Sequence, residues 1–242
     1  MVGLQPDLDF LIVPGVSHNI MFLKFVNATL IFLSLQDNEW NECVNFDRNS
    51  ATDEHREVWR NSFANSFSPF YEFQRDFPLV LNGSSARPSL MRQTSDGTPE
   101  NFFFLHNDVA FFGISQPNDR TPTWTGMDDL NAAWVSTHLG PDMATCAIRS
   151  IVIISQVSYS NKVATALNSY FAACGDIPVL NVKGDTHPAT FCMEKLNNVL
   201  RLTVEARKSA PLMVSIVEDN SGTHWFHVES TSNSTMGCPV FA

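Results

Sequence analysis

Pro178-Val179-Leu180-Asn181-Val182, followed across Lys183 by Gly184-Asp185-Thr186-His187, is the stretch on which the reading of this chain turns. The first five residues have the apolar, β-branched character of a buried strand. The last four are a polar cluster at its end. A second junction of this kind lies upstream, where Ile31-Phe32-Leu33 runs toward Asp37-Asn38-Glu39-Trp40. Proteins of the α/β class place their chemistry in polar loops at the ends of apolar strands. Carboxylate, amide and imidazole converging there suit a hard or borderline divalent cation.

Working outward, Ile151 to Ser155 reads as an apolar strand covered on both faces. Lys162 to Cys174 carries Val163, Ala166, Leu167, Tyr170 and Phe171 on one stripe, a helix with Gly175 as its cap. Asp128 to Leu139 is a second helix, with Leu130, Ala133, Trp134 and Thr137 on one side, stopped by Gly140-Pro141. Asn101 to Leu105 and Val109 to Ile114 flank His106-Asn107-Asp108 as a β-hairpin. Pro78 to Pro99 is a loop or hairpin region with turn signals at Asn82-Gly83 and Asp96-Gly97. Asp9 to Pro14 and Leu30 to Leu35 are strands, and residues 17–29 show no clean period. Asp53 to Phe67 has helical spacing. Val199 to Val204, Leu212 to Val217 and Trp225 to Glu229 are β-like, with a turn at Asp219-Asn220-Ser221-Gly222. Strand, helix and strand, then strands alone, predict a layered α/β sandwich of mixed sheets.

The chain has 242 residues and 44% hydrophobic content, which suits one domain, 1–242, with a sizeable core. A formal net charge of -10 argues against nucleic acid and anionic membrane surfaces as partners. The apolar runs near the start are interrupted by Lys24, Asn27 and Thr29, short of the roughly 20 residues that a spanning helix needs. No signal-peptide pattern opens the chain. The composition includes 19 Phe against 3 Tyr, concentrated in 63–77 and 102–112, a distribution that points to packing more than to ligand stacking. The five cysteines, Cys43, Cys146, Cys174, Cys192 and Cys238, contain no C-x-x-C pair. One or two disulfides are compatible with them, of undetermined connectivity. Sequons at Asn27, Asn82 and Asn233 are about as many as chance supplies in a chain rich in Asn, Ser and Thr.

Taken in order, several stretches resemble the calcineurin-like metallophosphoesterase superfamily, and within it a branch with Gly-Asp-Asn-Glu-Trp and Gly-Asp-x-His at strand ends. The first stands here as Gln36-Asp37-Asn38-Glu39-Trp40-Asn41-Glu42-Cys43, and the second is intact as Gly184-Asp185-Thr186-His187. Pro99-Glu100-Asn101-Phe102, Asn131-Ala132-Ala133-Trp134, Leu200-Arg201-Leu202-Thr203-Val204 and Thr223-His224-Trp225-Phe226-His227-Val228 are similar to the same branch. The resemblance runs from about residue 7 to 230. It implies an α/β/β/α sandwich and two metal ions about 4 Å apart that clamp a phosphoryl group and activate water. The metals implied are divalent manganese, iron, zinc or magnesium, and the substrate a small phosphate ester. Asp37, Asp185 and His187 then hold metal. Gln156, where relatives often carry a ligating His, is the fourth candidate metal residue. Asn38 takes the place of a proton-donating His; an amide can bind phosphate but cannot supply that proton.

The chain departs from the pattern in further places. No Asp-x-His precedes Asp7, and Asp9-Phe10-Leu11-Ile12-Val13-Pro14-Gly15-Val16 ends in Gly-Val where the family has Gly-Asp. The resemblance therefore implies a domain shortened by its first strand, with weak or absent hydrolysis. A silent binding relative and an incomplete gene model of an active enzyme are the alternatives. A secreted or lumenal setting is common among eukaryotic relatives.

Each residue also has a structural reading. Asp185 and His187 could form a polar turn, and Asp37 to Glu39 a turn and cap above Trp40. His224 and His227, three apart in a strand, point to opposite faces. His106 belongs to a hairpin turn. Cys43 and Cys174 have no assignable His partner that would make either a nucleophile.

Overall fold

The computed structural model describes residues 8–12, 19–25, 28–34, 91–93, 98–116, 125–155, 158–183, 192–203, 212–220 and 222–230. Twelve strands and two α-helices are present among them. The strands are β1 (Leu8–Ile12), β2 (Asn19–Phe25), β3 (Ala28–Ser34), β4 (Met91–Gln93), β5 (Thr98–His106), β6 (Val109–Gly113), β7 (Ser150–Ile154), β8 (Val179–Lys183), β9 (Cys192–Leu196), β10 (Val199–Thr203), β11 (Leu212–Glu218) and β12 (His224–Ser230). The helices are α1 (Thr125–Leu139) and α2 (Asn161–Cys174), with a 3-10 segment, Gly140–Ala144, after α1. The class is mixed α/β. The segment 53–67, read from sequence as a helix, lies outside the described residues.

The main sheet has seven strands in the order β4-β5-β6-β7-β8-β10-β9. Its centre is parallel: β6 pairs with β7, β7 with β8, and β8 with β10. Antiparallel strands flank that centre, β5 then β4 on one side and β9 on the other. One face packs on both helices. Phe103, Phe112, Ile151, Ile153 and Val179 meet Trp134, Val135 and Leu139 of α1 and Val163, Leu167 and Tyr170 of α2 in one core. The other face is buried too, through Phe102, Phe104, Phe111, Val152, Leu180 and Leu202. Burial on both faces is why β7 and β8 read as near-continuous apolar runs.

Both helices start and stop for local reasons. Ser160 caps α2 by accepting from the Val163 amide at 3.4 Å, and Gly175, at φ 86°, ends it by donating to the Phe171 carbonyl at 2.7 Å. The buried stripe of α2 is the expected one: Val163, Ala166, Leu167 and Tyr170. That of α1 is not. Ala133 and Thr137 are exposed, whereas Met127, Asn131, Trp134, Val135 and Leu139 are buried. The inward face is rotated because Asn131, a polar residue, points into the protein to satisfy buried partners.

The predicted hairpin at 101–114 forms as β5 and β6, turning through Asn107 (φ 46°) and Asp108 (φ 58°). Two consecutive left-handed residues match the right-handed twist of the strands they join. Gly113 sits opposite Phe102, whose ring lies over it; a Cβ there would meet the Phe102 Cε1 at 2.0 Å.

Two smaller sheets complete the described structure: β1-β11-β12, and the hairpin β2-β3. Strand β2 falls in the stretch without a clean period: Met21-Phe22-Leu23 is a continuous apolar run, which carries no alternation. Strand β9, Cys192-Met193-Glu194-Lys195-Leu196, has neither alternation nor an apolar run to mark it in the sequence. A disulfide joins Cys146, in the segment entering β7, to Cys174 at the end of α2.

Candidate functional site at the carboxyl edge of the main sheet

The parallel centre gives the sheet a directional edge. With β7 and β8 parallel and in register from Ile151↔Val179 to Ile154↔Val182, the chain leaves both strands at the same edge. β10 ends there as well, with Thr203 opposite Lys183. Ser155, the first residue beyond β7, is fully buried and held by β8: its amide donates to the Val182 carbonyl at 3.0 Å. Asn181 reaches across from β8 as well. Its Nδ2 donates to the Ile153 carbonyl and to Ser155 Oγ, both at 3.3 Å. The Asn181 Oδ1 is buried and has no hydrogen-bond partner among the described residues.

The residues singled out in the sequence stand next to this frame in the chain. Gln156 follows Ser155; Asp185 and His187 follow Lys183; Asp37 and Asn38 follow β3. All five lie outside the described residues. The strand that precedes Asp37 is not part of this frame. β3 pairs with β2, Phe25 to Ala28 across residues 26 and 27, and is not a strand of the seven-stranded sheet. Closing so short a connection costs little chain entropy, so the local partner is favoured. Among the described residues, no group of three or more His, Cys, Asp or Glu could hold a metal ion.

Beside the carboxyl end of β6 lies a buried amide cluster. Asn101 Nδ2 donates to Gln93 Oε1 and to Asn131 Oδ1, each at 2.8 Å. Asn101 Oδ1 accepts from the Ser115 amide at 2.6 Å, and Asn131 Nδ2 donates to the Ser115 carbonyl at 2.7 Å. Asn131 Nδ2 also donates to Gln116 Oε1 at 3.2 Å, and Gln116 Nε2 to Asp128 Oδ1 at 2.9 Å. Gln93, Asn101, Ser115, Gln116 and Asn131 are all buried. The cluster fastens β4, β5, the exit of β6 and α1 to one another. Its four amide side chains are neutral and position backbone, and a carboxylate, Asp128, closes the chain of bonds at Gln116. Asn101 and Asn131 come from two separate quoted motifs and touch here; Trp134 Nε1, from the second motif, donates to the Phe102 carbonyl at 3.4 Å. Gln93 at the end of β4, Gln116 beyond β6 and Asp128 in the first turn of α1 carry no signal in the sequence, because a single amide or carboxylate at an element's end sets no period.

The histidines sort as their strand positions predict. His224 is buried while His227 is exposed. His224 Nδ1 lies 3.0 Å from Ser150 Oγ, at the amino end of β7 and thus at the opposite edge from Ser155. His106 sits at the end of β5, and burial holds its pKa below the usual imidazole value. Burial lowers that of His138 likewise, where the ring stacks on Phe103 at 4.3 Å and meets Trp134 edge-on at 4.0 Å.

No helix among the described residues is long and apolar enough to cross a membrane. Comparison with family models, curated proteins and solved structures gives no match to this chain.

Proposed function

We propose that the chain is a degenerate calcineurin-like metallophosphoesterase domain, with a divalent-cation pocket at the carboxyl edge of the main sheet and a weak or lost phosphate-ester hydrolase activity. In this reading Asp37, Asp185 and His187 hold the metal, Gln156 stands at its rim and Asn38 orients the phosphate. The observation that supports it best is the tie between the exits of β7 and β8. Ser155 bonds Val182 and Asn181, so the segments beginning at Gln156 and Gly184 set out from one anchored point. The meeting of Asn101 with Asn131 adds to it, since both belong to the motif order that suggested the family. The weakness of the activity follows from Val16, Asn38 and Gln156, which replace charged or imidazole groups that two dications require.

The test is hydrolysis of an aryl phosphate with added manganese, by this chain and by His187→Ala, with metal content measured on both. Slow manganese-dependent turnover that His187→Ala abolishes supports the reading. Metal retained without turnover favours a silent binding domain. Equal rates in both proteins, or no metal bound by either, overturn the pocket.

A further inference from the structure

We propose that the Cys146–Cys174 disulfide is a redox-sensitive clasp, closed by thiol exchange in an oxidising compartment, and that its reduction loosens the unit formed by β7 and α2. The two cysteines are 28 residues apart with Cα atoms 5.3 Å apart, within the span of a disulfide. They bracket all of β7 and α2. The backbone at Cys146 gives a second, independent reason. Cys146 is exposed and adopts φ 50°, a left-handed conformation that glycine and asparagine take readily and cysteine does not. Neither packing nor backbone preference recommends cysteine there; the bond to Cys174 does. Non-covalent contacts already join the same pieces: Tyr170 of α2 donates to Asp142, whose carboxylate also accepts from the amides of Ala147 and Ile148. The unit is thus preorganised to bring the two sulfurs together.

Exposure decides the order of the chemistry. Cys146 is solvent-exposed and Cys174 half-buried. The Cys146 thiolate attacks a small-molecule or protein disulfide, forming a mixed disulfide and releasing one thiol. The Cys174 thiolate then attacks the Cys146 sulfur, forming the internal bond and releasing the second thiol. Two protons and two electrons leave the protein, and the oxidant is reduced to two thiols. Cytosolic thiol pools oppose this bond, whereas secretory and periplasmic compartments sustain it.

The experiment is refolding with oxidised glutathione, blocking of free thiols, and mass spectrometry of the unreduced digest, with thermal melts with and without dithiothreitol for wild type and Cys146→Asn. The digest should yield a peptide pair linked through Cys146 and Cys174. Reductant should lower the wild-type melting temperature by roughly 10 °C, for a loop of this length in a domain of this size. The Cys146→Asn variant should melt no lower than reduced wild type, since asparagine tolerates the left-handed backbone, and its response to reductant should be smaller than that of wild type by the same roughly 10 °C. Blocked thiols at both positions after refolding, or a wild-type melt that ignores the reductant, would overturn the proposal. Should the variant fail to fold, the linked peptide and the wild-type melts still decide it.

Discussion

At the scale of the residue, Asp142 concentrates more of the local structure than any titratable group near it. Its carboxylate accepts from Tyr170 Oη at 2.5 Å, Thr145 Oγ1 at 2.9 Å, the Ile148 amide at 3.0 Å and the Ala147 amide at 3.1 Å. Burial pushes its pKa up, but the hydrogen bonds from Tyr170, Ile148, Thr145 and Ala147 together outweigh it and leave the group below the usual carboxylate value. Tyr170 moves the other way: burial first, then its bond to Asp142 and the charge there, hold the phenol protonated well above its ordinary range. The sign for Asp142 follows from linkage. A folded-state pKa below the unfolded one gives stability that is present above about pH 4 and lost as pH falls through the folded value. Asp142→Asn should therefore cost about 1–2 kcal/mol at pH 7, with allowance for the part of the group that water reaches. Urea titrations from pH 7 to 3 should show a shallower acid decline for the variant. A parallel decline in both proteins would place the acid sensitivity elsewhere.

At the scale of the element, the amide cluster explains what sequence could and could not reveal. Strands β7 and β8 and helix α2 are legible because each carries a strong apolar pattern, broken in β8 only by Asn181, between clear punctuation: Pro178 before β8, Ser160 and Gly175 around α2. The inward face of α1 departs from the expected one because Asn131 is buried, and a periodicity argument assigns an asparagine to solvent. β2 shows no alternation because Met21-Phe22-Leu23 is a continuous apolar run, and β9 shows none because Glu194-Lys195 splits its apolar residues. The candidate ligands were legible only as motifs: Asp37, Asn38, Gln156, Asp185 and His187 have no periodic context, and what the structure describes is the frame from which their segments depart. The cluster also makes a quantitative statement. Asn101 and Asn131 share a hydrogen bond and a common partner in Ser115, so truncating either leaves the other buried and under-satisfied. Asn101→Ala and Asn131→Ala should each cost about 2–3 kcal/mol, and the double variant about 1 kcal/mol less than their sum. Simple additivity in denaturant melts would mean that the two amides act independently.

At the scale of the whole molecule, the two edges of the main sheet carry different duties. The amino edge receives the β1-β11-β12 sheet: Arg149 pairs with Glu218 and donates to the Gly222 carbonyl at 3.2 Å, beside the Ser150–His224 contact. The carboxyl edge carries the exits of β7 and β8, with the amide cluster at the neighbouring exit of β6. Joining at one edge and departing loops at the other let loop sequences change without disturbing how the sheets meet. β7 lies between them, paired on both sides and buried along its full length from Ser150 to Ile154. Strands so paired and covered belong to the best-protected part of a fold, and deuterium should reach the β7 amides only when the entire core comes apart. The exchange free energy at Val152 should then equal the unfolding free energy from denaturant, which would turn this one strand into an internal gauge of the molecule's total cohesion.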